Sequence, residues 1–330
     1  MQRTENHSLD SRTTTVHGDI SRRRFLIVAA GTAGVALLAA CGGSSAATTV
    51  PATARGTAPP AATTGSGATP AASVVKGTAS APAAQSGQML VVNAVEYGFQ
   101  TNGSVPAGPT TIQLKNFGKE VHEVGFIRLK EGATVEQFRT AAAKDEQSAY
   151  LLGTLEGGPN RIGPQGTSEV ILDLAPGQYA LACFVNTADG VTHAAKGMIL
   201  PLQVTAATAP ATPLPAGNGT FTLGGNGADW PTTLPSGRSM YRVTNKADAV
   251  REFFVGRLAT GKTVDDLKKA LADPAANGTP DWFEAFGGME GLKPTGMGIV
   301  RLDLKPGNYA AVDNPLAAGE PTLKGYTVAG

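Results

Sequence analysis

VILDLAPGQYALACF, from Val170 to Phe184, holds the pattern on which the fold turns. Its first residues alternate around Val170, Leu172 and Leu174, its middle is Ala-Pro-Gly, and its end is apolar around Tyr179 and Cys183. That reads as a strand, a tight turn and an antiparallel strand. The same text recurs downstream: VRLDLKPGNYAAVDN, from Val300, lines up on it without a gap. Working outward, NFGKEVHEVGFIRLKEGATVEQFRTAA from Asn116 lines up on NKADAVREFFVGRLATGKTVDDLKKAL from Asn245, and AKGMILPLQV lines up on the closing LKGYTVAG. Self-similarity at this length predicts two copies of one fold, at 89–206 and 217–330, joined by a Pro/Ala linker at 207–216.

Within each copy the pattern is mostly β. MLVVNAVEYGF, TTIQLKN, EVGFIRL, SEVILDL, QYALACF and MILPLQV are short runs rich in β-branched and aromatic residues, punctuated by Gly, Pro and Asn. TVEQFRTAAA and its counterpart TVDDLKKALA begin on a Thr N-cap, with an acidic or amide side chain in the first turn. The expectation is an all-β chain of two tandem Greek-key β-sandwich domains, each with one inserted short helix.

The N-terminus is an address. SRRRFLIVAAGTAGVALLAAC places Arg22, Arg23 and Arg24 before an apolar run that is too short and too rich in Gly and Ala to span a membrane stably. Arg22 and Arg23 lie in a block that resembles the twin-arginine export signal. Leu38-Ala39-Ala40-Cys41 resembles a bacterial lipobox, which implies removal of residues 1–40 and lipidation of Cys41. From 41 to 88 the chain is almost all Ala, Thr, Ser, Gly and Pro and predicts a disordered tether, its ends roughly 40 Å apart. The expected location is extracytoplasmic, on the bacterial cell membrane, held by the lipid.

Of 27 basic and 26 acidic residues, five Arg and three acidic residues precede position 41, so the remainder is close to neutral. No basic field invites nucleic acid, and no polybasic run invites acidic lipid. With Cys41 assigned to the lipid, Cys183 has no disulfide partner, and an exported chain with one spare thiol needs a reason for it.

That reason is legible in YALACFVNTADGVTHAAKGMILPLQV, which holds Cys183, His193 and Met198; beyond position 41 the only other histidine is His122. One thiolate, two imidazoles and a weak thioether are the donor set of blue-copper sites. The segment resembles the C-terminal ligand loop of the cupredoxins, the plastocyanin and azurin superfamily, and NFGKEVHEVGF resembles that family's first-histidine region. The resemblance implies a cupredoxin-like fold for both copies and one type 1 copper in the first, with His122, Cys183 and His193 in plane and Met198 axial. The loop from Cys183 to His193 is longer than in the small electron carriers, and Glu123 beside His122 could pair with it or orient it. In the second copy, Arg251, Asp313, Pro321 and Tyr326 replace the four donors.

The implied function is a membrane-anchored copper protein that carries single electrons between redox protein partners whose identity the sequence leaves open. Copper storage or delivery is one alternative, and a metal-free two-domain scaffold is another. A catalytic copper would need further histidines and none is spare, so an enzyme is not expected, and no catalytic residue is assigned.

Overall fold

Alternate burial along the chain builds its sheets. A computed structural model describes residues 88–208, 210, 212–273, 279–317 and 319–330. The expected export signal with Arg22 and Arg23, the lipidation site Cys41 and all but the last residue of the expected tether lie outside the described residues. The N-terminal half runs β1 (Gln88–Val95), β2 (Gly98–Thr101), β3 (Val105–Pro106), β4 (Gly108–Asn116), β5 (Gly125–Leu129), α1 (Val135–Lys144), α2 (Glu146–Tyr150), β6 (Gly153–Leu155), β7 (Thr167–Leu174), β8 (Gly177–Ala182) and β9 (Ile199–Thr205). The C-terminal half continues with β10 (Thr220–Leu223), β11 (Gly237–Asn245), β12 (Arg251–Leu258), α3 (Val264–Ala272), β13 (Phe283–Leu292), β14 (Met297–Leu304), β15 (Gly307–Pro315) and β16 (Thr322–Val328). The described chain is all-β in class, with three short helices. None of them is long and apolar enough to cross a membrane.

Leu90, Val92 and Ala94 of β1 and Ile112 and Leu114 of β4 are fully buried, while their sequence neighbours are partly exposed. This is the period-two signature of a sheet with one face inward. The strand just upstream of the candidate donors differs, because both faces of β8 are covered. Tyr179 and Leu181, then Cys183 just beyond the strand, join the main core, whereas Ala180, Ala182 and Phe184 join a second core that includes Phe138, Ala142 and Ala149 of α1 and α2. Alternation therefore sends Cys183 toward the main core without further instruction.

Two expectations are corrected. The Ala-Pro-Gly turn does not close a hairpin: β7 belongs to a sheet of order β10-β11-β14-β7-β4-β1-β2 and β8 to a sheet of order β3-β9-β8-β5-β6. The chain crosses between sheets there, and Tyr179 holds the corner by donating its hydroxyl hydrogen to Ala175 O at 2.9 Å. Tyr309 repeats this bond to Lys305 O at 2.9 Å. Such a bond contributes about 1 kcal/mol net. Nor does the N-terminal half carry one helix. Asp145 ends α1 and caps the five-residue α2, its carboxylate accepting from Ser148 N–H at 2.6 Å.

The two halves share a sheet. β7 and β14 pair antiparallel with Val170 opposite Val300, Ile171 opposite Ile299 and Glu169 opposite Arg301, and the last two form an ion pair. A third sheet, of order β13-β12-β15-β16, completes the C-terminal half. One continuous apolar cluster draws residues from both halves, including Leu172, Met289, Val300 and Leu302.

Candidate metal centre

Three of the four candidate donors converge. The ligand atoms of His122, Cys183 and His193 all lie within 4.8 Å of one another, and all three residues are fully buried. The two Nδ1 atoms are 3.1 Å apart, and His193 Nδ1 is 3.4 Å from Cys183 Sγ. Metal–nitrogen and metal–sulfur bonds of about 2.0 and 2.3 Å place tetrahedral ligand atoms roughly 3.3–3.5 Å apart, so these separations are those of one coordination sphere.

Local backbone bonds bring the three together. His122 sits opposite Ile162 in an isolated bridge before β5, its N–H donating to Ile162 O at 3.2 Å and its carbonyl oxygen accepting from Ile162 N–H at 2.9 Å. Asn116, also fully inside, donates its amide to Glu120 O at 2.7 Å and Ile162 O at 2.9 Å, fixing the turn ahead of His122. The long Cys183–His193 spacing is taken up by a hairpin-like loop, with Asn186 opposite Thr192 and Thr187 N–H on Val191 O at 2.9 Å. His193 N–H then reaches Val185 O at 2.9 Å and Ala194 N–H reaches Cys183 O at 2.7 Å. Met198 is fully buried in the main core; its N–H donates to His193 O at 2.9 Å and its O accepts from Cys183 N–H at 3.3 Å. The axial candidate is therefore tied by backbone to both other members of its loop.

Burial sets the protonation states. Burial first, then the charge of His193, lowers His122 to a pKa of about 4, against the pull of Glu96 and Glu120. Burial also lowers His193, opposed by Glu120. Both imidazoles are thus neutral at pH 7 and keep a lone pair for a cation. Burial, then the carboxylate of Glu123, pushes the Cys183 thiol well up, although the backbone N–H groups of Glu123 and Val185 favour its thiolate. A bound cation is what would ionise it. The buried Nε2 of His122 has no hydrogen-bond partner and that of His193 faces Glu120, while the two Nδ1 atoms face each other. The donor set and its geometry fit a copper ion.

One pH prediction follows for metal-free protein. The folded state binds fewer protons than the unfolded state between the ordinary histidine pKa of about 6.5 and the folded value of about 4 for His122. Stability is therefore fully present above that window and is lost as pH falls through it. The expected loss is about 2 kcal/mol once solvent screening is allowed for, read as a falling urea midpoint. A flat midpoint from pH 7 to pH 4 would refute it.

Four neighbours escaped sequence reading. Glu120 Oε2 lies 2.8 Å from His193 Nε2 and opposes the lowering of its pKa by burial. Tyr97 sets its ring edge-on to His193 at 5.3 Å, and Lys196 Nζ lies 5.1 Å from the centre of the Tyr97 ring. Glu96 accepts from the Lys119 and Glu120 N–H groups. A reader of the sequence had only the positions of Glu120 and Lys196, two and three residues from histidines, as a signal. Glu123, which could have paired with His122 or oriented it, turns elsewhere: its Oε1 accepts from Phe184 N–H at 3.2 Å and its Oε2 from Arg161 Nε at 3.0 Å.

The C-terminal half places Arg251 and Asp313, which align with His122 and Cys183, against each other as a buried ion pair. The other Asp313 oxygen accepts from Gly224 N–H at 2.8 Å. The bracing Asn recurs as well: Asn245 donates to Ala249 O and Leu292 O, both at 2.8 Å. A charge pair thus joins the same two backbone positions that copper ligands are expected to join in the first half.

No family model matches the chain, and no curated protein does. Solved structures do. A reduced auracyanin from the photosynthetic bacterium Roseiflexus castenholzii is 19% identical over 36% of this chain and 97% of its own, with a TM-score of 0.27. A multicopper oxidase is 15% identical over 73% of this chain and 88% of its own, TM-score 0.22. A copper-containing nitrite reductase from Thermus scotoductus SA-01 is 11% identical over 73% and 61%, TM-score 0.20. The expectation that the chain is not an enzyme is corrected by this set, because two of these similar structures are of enzymes. The two histidines beyond position 41 limit what imidazole can hold and do not exclude catalysis.

Proposed function

We propose that the chain is a cupredoxin-like copper protein working in single-electron transfer. The observation that carries this is the convergence of His122, Cys183 and His193, their donor atoms at 3.1 and 3.4 Å in a fully buried site. A type 1 copper ion would be held by those three residues together with Met198. Copper bound there would supply a one-electron couple between Cu(I) and Cu(II). The chain's own groups keep water out, hold both imidazoles neutral and fix the backbone of both histidines through Ile162 and Val185. Glu120 and Tyr97 set the electrostatics at the outer edge of His193, the side on which a redox protein partner would approach.

The rest of the reading keeps its sequence basis. Two tandem Greek-key domains, 89–206 and 217–330, follow a linker-joined repeat, with a single copper site in the first. Export through Arg22 and Arg23 and lipidation of Cys41 would hold the head on a membrane by a 41–88 tether, on the extracytoplasmic side.

Titration of metal-free protein with Cu(II) tests the reading. One equivalent is expected to produce intense thiolate-to-copper absorption in the visible range. Colourless protein, or binding no tighter than micromolar, would instead favour the metal-free scaffold. Coloured protein that hands copper to a chelator-like acceptor faster than it exchanges electrons would favour delivery.

A further inference from the structure

Resting on the copper reading above, we infer that the C-terminal half positions the metal site of the N-terminal half, with Asn160 as the positioning residue that links them. The link is the segment 157–162, which pairs with both halves at once. On one side Phe126 N–H donates to Gly157 O at 2.8 Å, Val124 N–H to Pro159 O at 3.0 Å, and Ile162 exchanges both bonds with His122. On the other side Asn160 N–H donates to Gly288 O at 3.2 Å, Glu290 N–H donates to Gly158 O at 2.7 Å, and Pro159 and Met289 sit opposite each other. A Cβ at Gly158 would strike Val124 O and one at Gly288 would strike Phe253 O, so only glycine lets the strands close up here.

Sequence supports the pairing. GGPNRI (157–162) and GGMEGL (287–292) occupy matching places in the two halves, and the antiparallel contact is centred on the matching residues Pro159 and Met289. The β7–β14 contact is likewise centred on Val170 and Val300. This is a self-complementary interface, closed within one chain.

Asn160 carries the connection. It is fully buried, and its Nδ2 donates to Glu252 Oε1 at 3.2 Å and Glu290 Oε2 at 3.1 Å, both nearly buried carboxylates of the C-terminal half. An uncharged amide offers two donors to two carboxyl groups without adding a buried charge. The next two residues reach the site: Arg161 binds Glu123, which accepts from the N–H following Cys183, and Ile162 brackets His122. Moving Asn160 moves the backbone behind two of the three converging donors.

The test uses the full chain. In metal-free Asn160→Ala, the His122 and Val124 amides are expected to exchange hydrogen about tenfold faster than in wild type. Loaded protein is expected to bind copper roughly 10- to 100-fold more weakly, with an altered intensity ratio between its thiolate-to-copper bands. Tyr309→Phe, which loosens the C-terminal half at its corner, should lower the thermal midpoint yet leave both readouts unmoved. If Asn160→Ala does not fold, Glu290→Ala is read in its place, and Glu290→Gln, which keeps an oxygen for the Asn160 amide, should restore wild-type values. Unchanged exchange at His122 in a folded variant overturns the inference. A colourless wild type would overturn the copper reading and leave the exchange measurement to decide this one.

Discussion

Arg251→Ala is expected to destabilise the protein at pH 7 by about 3–5 kcal/mol, the usual result of stranding one member of a buried ion pair. Asp313 is fully inside, and burial already raises its pKa even with Arg251 and Gly224 N–H beside it. Without the guanidinium, the carboxylate must stay charged in an apolar setting or take up a proton. The deficit should therefore shrink as pH falls and the carboxyl is neutralised. A loss this size is a large share of the 5–15 kcal/mol that holds a domain together. Urea unfolding of the variant measures it. The double variant Arg251→Met, Asp313→Leu should recover most of it, keeping only the cost of an unmatched Gly224 N–H, about 1–3 kcal/mol. A loss below about 1 kcal/mol for Arg251→Ala would show that the pair behaves as a solvated one.

Cys183→Ala is expected to abolish the visible thiolate-to-copper absorption and weaken copper binding by more than about 100-fold, since even outer-shell partners of a metal are worth roughly 10–100-fold. Its effect without metal should be far smaller. The thiol sits in the main core as a small apolar group, and losing one buried sulfur leaves a minor void, about 1 kcal/mol. The contrast between the two measurements is what identifies a ligand. A variant that still shows the absorption would remove the thiol from the site, and one that unfolds without metal would assign it a packing role instead.

The two variants probe matching positions, and the comparison says why the halves diverge in chemistry while keeping one scaffold. Cys183 lies just past the end of β8 and Asp313 near the end of β15, strands buried on both faces, while His122 lies shortly before β5 and Arg251 opens β12, the strands beside them. Whatever stands there meets its partner in a dry setting, so the pair must satisfy itself. Thiol and imidazole do so with a metal; carboxylate and guanidinium do so with each other.

By itself the sequence determined the strands, the Thr-capped helices, the recurrence of one pattern and the identity of four soft or borderline donors. These are local properties: period-two alternation, the Thr134 and Thr263 caps, and the scarcity of His and Cys can be read without knowing what any segment touches. Only the tertiary structure decided that β7 and β8 belong to different sheets, that β7 and β14 join the halves, and that Asn160 lies between Glu252 and Glu290. The same holds for Glu120 and Tyr97 against His193. Strand neighbours are chosen by side-chain fit between segments more than a hundred residues apart, and a polar residue such as Asn160 looks like any loop Asn until its partners are in place. Donor identity is written in the chain, whereas donor orientation is a product of the packing around it.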